Sequence, residues 1–135
     1  MTTEEALVAA ARAAKARAYV PYSHYRVGAA LLTRSGRVYT GCNIENAAYG
    51  CTMCAERVAL FKAVSEGERE FLALAVAAEG ERTASPCGAC RQVLCEFAPE
   101  LKVYLAGPGG EVRSLTLTEL LPCAFGPAHL KEAKP

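Results

Sequence analysis

An α/β domain, a three-layer α/β/α sandwich around a mixed five-stranded sheet, is what this sequence predicts, and three features predict it. Helix-period and strand-period stretches alternate in the order α-β-β-α-β-α-β-β-α, which favours helices layered on a sheet. The run Phe71 to Ala78 is apolar almost without a break, as a central strand should be. The turn Arg34-Ser35-Gly36-Arg37 separates two strand-like runs and predicts an antiparallel hairpin. A chain of 135 residues fits one domain, 1–135, with one core. A hydrophobic fraction of 52% against 21% charged residues is that of a globular chain.

The elements follow in order. Thr2 and Glu5 stand at capping-box spacing, and the alanine-rich run that follows predicts an amphipathic helix to about Tyr19, ended by Pro21. Pro21 to Tyr25 is a loop. Arg26 to Thr33 and Val38 to Asn43 are the hairpin strands, and Gly28, Ala29 and Ala30 in the first suggest close packing or a nearby ligand. Asn43 and Glu45, two apart in extended chain, face one side while Ile44 faces the other. They read either as a clamp for a hydroxyl or as solvated polarity at a strand end. Asn46 to Met53 is a loop. Cys54 to Glu66 predicts a helix stopped by Gly67, apolar nearly all round and therefore buried, with Glu56 and Arg57 inside it. Buried charges need partners or a function.

After the central strand, Glu79 to Ser85 is a polar loop, and Cys87 to about Phe97 predicts a third helix ended by Pro99. Lys102 to Ala106 and Val112 to Leu115 are strands about a glycine-rich turn. Thr116 to Leu121 starts a short helical turn, and from Pro122 the tail is irregular with a helical turn near His129.

Charge and composition exclude several functions. The net charge is +1 with no cluster of lysine and arginine, which argues against a nucleic-acid surface. No apolar run reaches the length of a membrane span. Nothing near Met1 reads as an export signal, and the seven cysteines are an odd number. Reduced thiols in a cytoplasmic protein are therefore expected rather than disulfides.

In that setting CxxC pairs read as metal or redox sites, and two occur: Cys51 with Cys54, and Cys87 with Cys90. Cysteines three apart at a helix start share a face and tilt toward the helix end, so both thiolates can meet one metal. Cys54, Cys87 and Cys90 would leave a zinc ion one open position, the pattern of a catalytic site. Three thiolates and Zn²⁺ sum to −1, which weakens the metal as a Lewis acid. Two helix N-termini and a hydrogen bond from Arg57 to the thiolates would offset that charge. Spacing alone leaves other readings open. Cys51 could join or replace Cys54 in a closed structural zinc site, or the pairs could be redox-active. Glu56, two residues after Cys54, and Pro86, before the second pair, favour a zinc-dependent nucleobase deaminase.

At this point the chain resembles the small, homotetrameric, zinc-dependent cytidine deaminases. The matching segments are Pro21-Tyr22-Ser23 with Val27 to Ala30, Gly41 to Tyr49, Cys54-Ala55-Glu56-Arg57, Pro86 to Gln92, and Leu120-Leu121-Pro122 with Ala124-Phe125. They occur in the expected order over nearly the whole chain. A cysteine stands at the first ligand position, where deoxycytidylate and tRNA adenosine deaminases carry histidine.

The resemblance implies deamination of cytidine and deoxycytidine in pyrimidine salvage, with one zinc per chain on Cys54, Cys87 and Cys90. It makes Glu56 the proton shuttle and the Ala55 N–H the contact for base O2. Asn43 and Glu45 would bind the ribose 3′-hydroxyl. Tyr25, where the family usually has phenylalanine, would face the pyrimidine. Ala47, Tyr49 and Phe125 would reach sites of neighbouring subunits in a homotetramer with shared active sites. A deaminase of a modified nucleoside such as blasticidin S, or a non-catalytic zinc module, are the alternatives. Cys42, Cys95 and Cys123 are expected to be ordinary buried or half-buried thiols, Cys51 to stand outside the metal shell, His24 and His129 to be surface residues, and Arg91 to be a structural or subunit-contact residue.

Overall fold

The computed structural model describes residues 1–132; the last three positions of the expected 1–135 domain lie outside the described residues. Five strands form one sheet in the order β2-β1-β3-β4-β5. They are β1 (Val27–Thr33), β2 (Val38–Cys42), β3 (Phe71–Ala78), β4 (Lys102–Ala106) and β5 (Val112–Thr116). The helices are α1 (Thr3–Ala14), α2 (Ala55–Ser65), α3 (Gly88–Phe97), α4 (Leu117–Leu120) and α5 (Pro127–Glu132). Every pairing is antiparallel except β3 with β4, which α3 joins as a crossover. The sheet is therefore mixed, and the predicted fold class holds.

Alternation along the strands sorts side chains into two cores. Ala30, Ala73, Ala75, Ala77 and Ala106 meet Leu7, Val8 and Ala11 of α1 on one face. Ala29, Leu31, Leu74, Val76, Val103 and Leu105 pack with α2 and α3 on the other. The first face is almost all alanine, so α1 lies very close to the sheet. A Cβ on Gly28 would come within 2.1 Å of the Ala11 carbonyl oxygen. On the other face a Cβ on Gly41 would sit 2.3 Å from the Ala55 carbonyl oxygen, so glycine is what lets the start of α2 rest on β2.

Three expectations need correcting. Helix α1 ends at Ala14, followed by a 3₁₀ turn at Lys15–Arg17, and does not run to Tyr19. The backbone of Tyr19 is used elsewhere: it accepts from Glu45 N–H at 2.9 Å and donates to the Asn43 carbonyl at 3.0 Å. Tertiary pairing overrides the helix propensity of the alanine run. Helix α2 is not buried all round, because Phe61 on its outer face is 44% exposed. Cys123, expected to be buried or half-buried, is exposed, while the helical turn expected near His129 is present as α5 (Pro127–Glu132).

These contacts position one end of the sheet. Ile44 pairs with Tyr19 on one side and with Met53 on the other. The segment entering α2 is thereby fastened to the end of β2, beside the carboxyl end of β3 from which the chain runs to α3. The region outside the carboxyl ends of strands is where α/β sheets commonly bind ligands.

Candidate metal and active site

Two helix beginnings converge at this end of the sheet. Cys54 is the N-cap of α2 and Cys87 the N-cap of α3, both in extended backbone, and Cys90 lies buried in the first turn of α3. Both helices therefore direct unpaired N–H groups and the positive ends of their dipoles at the same place. The three Sγ atoms lie within 4.8 Å of one another, and Cys54 and Cys87 are 3.8 Å apart. Four-coordinate zinc with sulfur at about 2.3 Å puts neighbouring sulfurs about 3.8 Å apart, so the triad fits one zinc ion with a fourth position left open. Cys51 is exposed and outside the triad, which removes the four-cysteine arrangement.

Electrostatics give the same answer. A hydrogen bond from Cys90 and then one from Arg57 pull the Cys54 thiol down to about 5. The Cys90 thiol is pushed up, first by its hydrogen bond with Cys54 and then by burial. Without a cation the cluster accommodates one thiolate readily and resists a second; a divalent soft metal relieves that repulsion. Arg57 Nη2 donates to Cys54 Sγ at 3.4 Å. Its Nε is buried without a partner, the one such side-chain atom among the described residues. Arg57 thus brings positive charge against the sulfurs, as its place beside the cysteine suggested.

Glu56 is 4% exposed. Burial pushes its carboxyl up to about 7, with the Cys54 charge adding to the rise. A cation among the sulfurs would draw it back down. A carboxyl that exchanges its proton near neutral pH is suited to general acid–base work. It lines a cavity of about 230 Å³ together with Cys54, Cys87, Ala55, Asn43, Tyr25, Val27 and Val76. A second recess of about 380 Å³ is lined by Tyr22, Ser23, Glu45, Tyr49 and Thr52, and the two share Thr52. A larger groove of about 510 Å³ over β2, between α1 and α2, carries no comparable set of groups.

The Asn43 and Glu45 side chains do more than the sequence suggests. Asn43 Oδ1 accepts from Val27 N–H at 2.9 Å, and Nδ2 donates to the Tyr25 carbonyl at 2.8 Å. Glu45 Oε1 accepts from Tyr22 N–H at 3.0 Å and Ser23 N–H at 3.1 Å, and Oε2 accepts from the Ser23 hydroxyl. The Ser23 hydroxyl bond, ahead of the two backbone bonds, holds the Glu45 carboxyl below the usual carboxylate range. Both residues therefore pin the Pro21–Val27 segment that carries Tyr25. They also line different spaces, Asn43 the inner cavity and Glu45 the recess.

The remaining expected residues are spread more widely. Ala47 and Phe125 line neither space in their own chain. Tyr49 is 75% exposed at the recess, with its ring 5.9 Å from that of Tyr22. Phe125 is 57% exposed, stacks on His129, and its carbonyl accepts from Gln92. Sequence reasoning missed Thr52, Ser85 and the full role of Arg91. The Arg91 guanidinium donates to the Pro86 carbonyl at 2.7 Å, the Leu120 carbonyl at 2.6 Å and Ser85 Oγ at 2.9 Å, tying the Cys87 loop to α4. Ser85 stands two residues before Cys87, and that adjacency was the available signal; for Thr52 there was none.

Comparison with known proteins gives a consistent result. A family model described as the cytidine and deoxycytidylate deaminase zinc-binding region matches residues 1–106. The chain is 53% identical over 130 residues to a cytidine deaminase of Sporosarcina psychrophila, covering 96% of each chain. It is 55% identical over 120 residues to a cytidine deaminase of Halalkalibacterium halodurans, covering 88% of this chain and 91% of that one. A crystal structure of cytidine deaminase from Burkholderia pseudomallei matches with a TM-score of 0.88 at 52% identity, covering 93% of this chain and all of that one.

Proposed function

The chain belongs to the cytidine and deoxycytidylate deaminase family, and from that membership we propose that it hydrolyses cytidine and deoxycytidine to uridine and deoxyuridine with release of ammonia. One observation carries this reading: the buried Glu56 carboxyl lines the same small cavity as Cys54 and Cys87. A nucleophile's proton, a base ring and a metal can share that space.

Cys54, Cys87 and Cys90 hold the zinc ion, one per chain. When bound, the metal supplies a Lewis acid that makes water nucleophilic at neutral pH. The protein residues do the rest. Glu56 accepts the proton of the attacking water and hands it to N3 of cytosine as the water oxygen adds at C4. Glu56 then takes the proton of the new C4 hydroxyl and passes it to the amino group, and the C4–N bond breaks as the C4=O bond forms, so that ammonia leaves with uridine as product. Arg57 and the two helix N-termini limit the negative charge of the sulfurs. The first N–H of α2, that of Ala55, has no partner within the helix and receives base O2. Tyr25 faces the pyrimidine ring.

After their internal bonds, Asn43 retains one amide hydrogen and Glu45 retains lone pairs on its carboxylate. One donor and one acceptor are the complement of a single hydroxyl, and they serve the 3′-hydroxyl. Reading 3′ rather than 2′ admits both ribose and deoxyribose. Ala47, Tyr49 and Phe125 complete the sites of neighbouring subunits in a homotetramer. The exposure of Tyr49 and Phe125, with that of Phe61, leaves large apolar groups for such contacts. None of the seven cysteines is in a disulfide, which suits a reducing cytoplasm. No helix among the described residues is long and apolar enough to cross a membrane.

The family also includes enzymes of nucleotides, and the wall chemistry separates the two. No Lys, Arg or His lines either space, and the recess holds the Glu45 carboxylate. A 5′-phosphate finds no counter-charge there and one like charge. Deoxycytidine is therefore expected to be deaminated at least about 100-fold more efficiently, in kcat/KM, than deoxycytidine 5′-monophosphate. Comparable efficiencies for the pair, or no turnover of either nucleoside, would overturn the reading.

A further inference from the structure

Ser23 touches two residues of the site, and its hydroxyl is spent on both. The Oγ–H donates to Glu45 Oε2, and Oγ accepts from Tyr25 N–H at 3.0 Å. The Ser23 N–H donates to Glu45 Oε1 at 3.1 Å. Between Ser23 and Tyr25 stands His24 at φ 58°, a left-handed backbone that a residue with a Cβ keeps only where its surroundings impose it. The bonds flanking His24 run through Ser23 on one side and from Asn43 to the Tyr25 carbonyl on the other. The aim of the Tyr25 ring is thus set by a short strap whose one side-chain link to Glu45 is Ser23.

We propose that Ser23 is a positioning residue that couples the Glu45 carboxylate to the Tyr25 ring, so that the sugar contact and the base contact are held in one register. The proposal rests on the reading above, in which Tyr25 meets the pyrimidine and Glu45 the sugar. Without the hydroxyl, Glu45 Oε2 loses its donor and Tyr25 N–H loses its acceptor, while the metal triad and Glu56 are untouched. The loss then falls mainly on substrate binding.

The test is steady-state cytidine deamination by Ser23→Ala and Ser23→Thr, each also made in a Tyr25→Ala background, with amide hydrogen exchange on the same proteins. Ser23→Ala is expected to raise KM about five- to tenfold with a much smaller change in kcat, and Ser23→Thr, which keeps the hydroxyl, recovers most of it. In the Tyr25→Ala background the same change costs less than about twofold, because the coupled ring is gone. The Tyr25 amide exchanges faster in Ser23→Ala while amides of β1 and β3 do not. A KM unchanged in Ser23→Ala, an equal penalty in both backgrounds, or a general loss of fold overturns the proposal. If the wild type turns over cytidine and Ser23→Ala matches it, the strap alone is wrong. If the wild type leaves cytidine intact, the functional reading fails and the strap with it.

Discussion

Glu56→Gln is expected to lose cytidine turnover by about 10²–10⁴-fold while keeping zinc, fold and assembly. The substitution is nearly isosteric at a position 4% exposed. An amide is neutral, so it leaves no uncompensated buried charge and creates no cavity. It removes only the capacity to take a proton from water and give it to the ring. The two effects separate cleanly: metal content and thermal unfolding stay near the wild type while kcat collapses. Retention of more than a tenth of the wild-type kcat would mean that another group carries the proton.

The second large effect is at the metal. Cys87→Ser is expected to weaken zinc binding at least about 100-fold, since changes to outer partners of metal ligands already cost about 10–100-fold. Serine is chosen because Cys87 is an N-cap whose side chain makes no capping bond. Serine is a strong N-cap residue, so α3 should be no less stable without metal. Any loss of zinc then reports ligation rather than unfolding of the helix. Metal content after dialysis against a weak chelator, measured beside far-UV circular dichroism, distinguishes the two. Full zinc retention in Cys87→Ser would place the ion elsewhere.

The metal triad was legible because its information is local. A CxxC pair at a helix start fixes the direction of two thiols; spacing left Cys51 open beside Cys54, and Glu56 after Cys54 with Pro86 before the second pair favoured the triad. The hairpin and β3 were legible for the same reason, from a turn and an unbroken apolar stretch. The end of α1 was not, because Tyr19 leaves the helix to pair with residues 43–45, a contact that no local pattern encodes. The exposed outer face of α2 was missed because an apolar helix surface reads as buried whether its cover comes from the same chain or from another.

The pair Asn43 and Glu45 was half legible. Period-two alternation put both on one side of the strand end, but the strap they bind lies some twenty residues earlier in the chain. Only the folded structure shows that they pin the segment carrying Tyr25. The same holds for Arg91, whose three donations join parts of the chain that the sequence keeps apart.

Cytidine turnover measured against zinc bound per chain tests the central claim most directly. Protein stripped of metal and titrated with zinc should gain cytidine-deaminating activity in proportion to bound metal, reaching its plateau at about one ion per chain with stoichiometric ammonia release, as three thiolates and one open position require. A protein that binds its full zinc and leaves cytidine unchanged would contradict it.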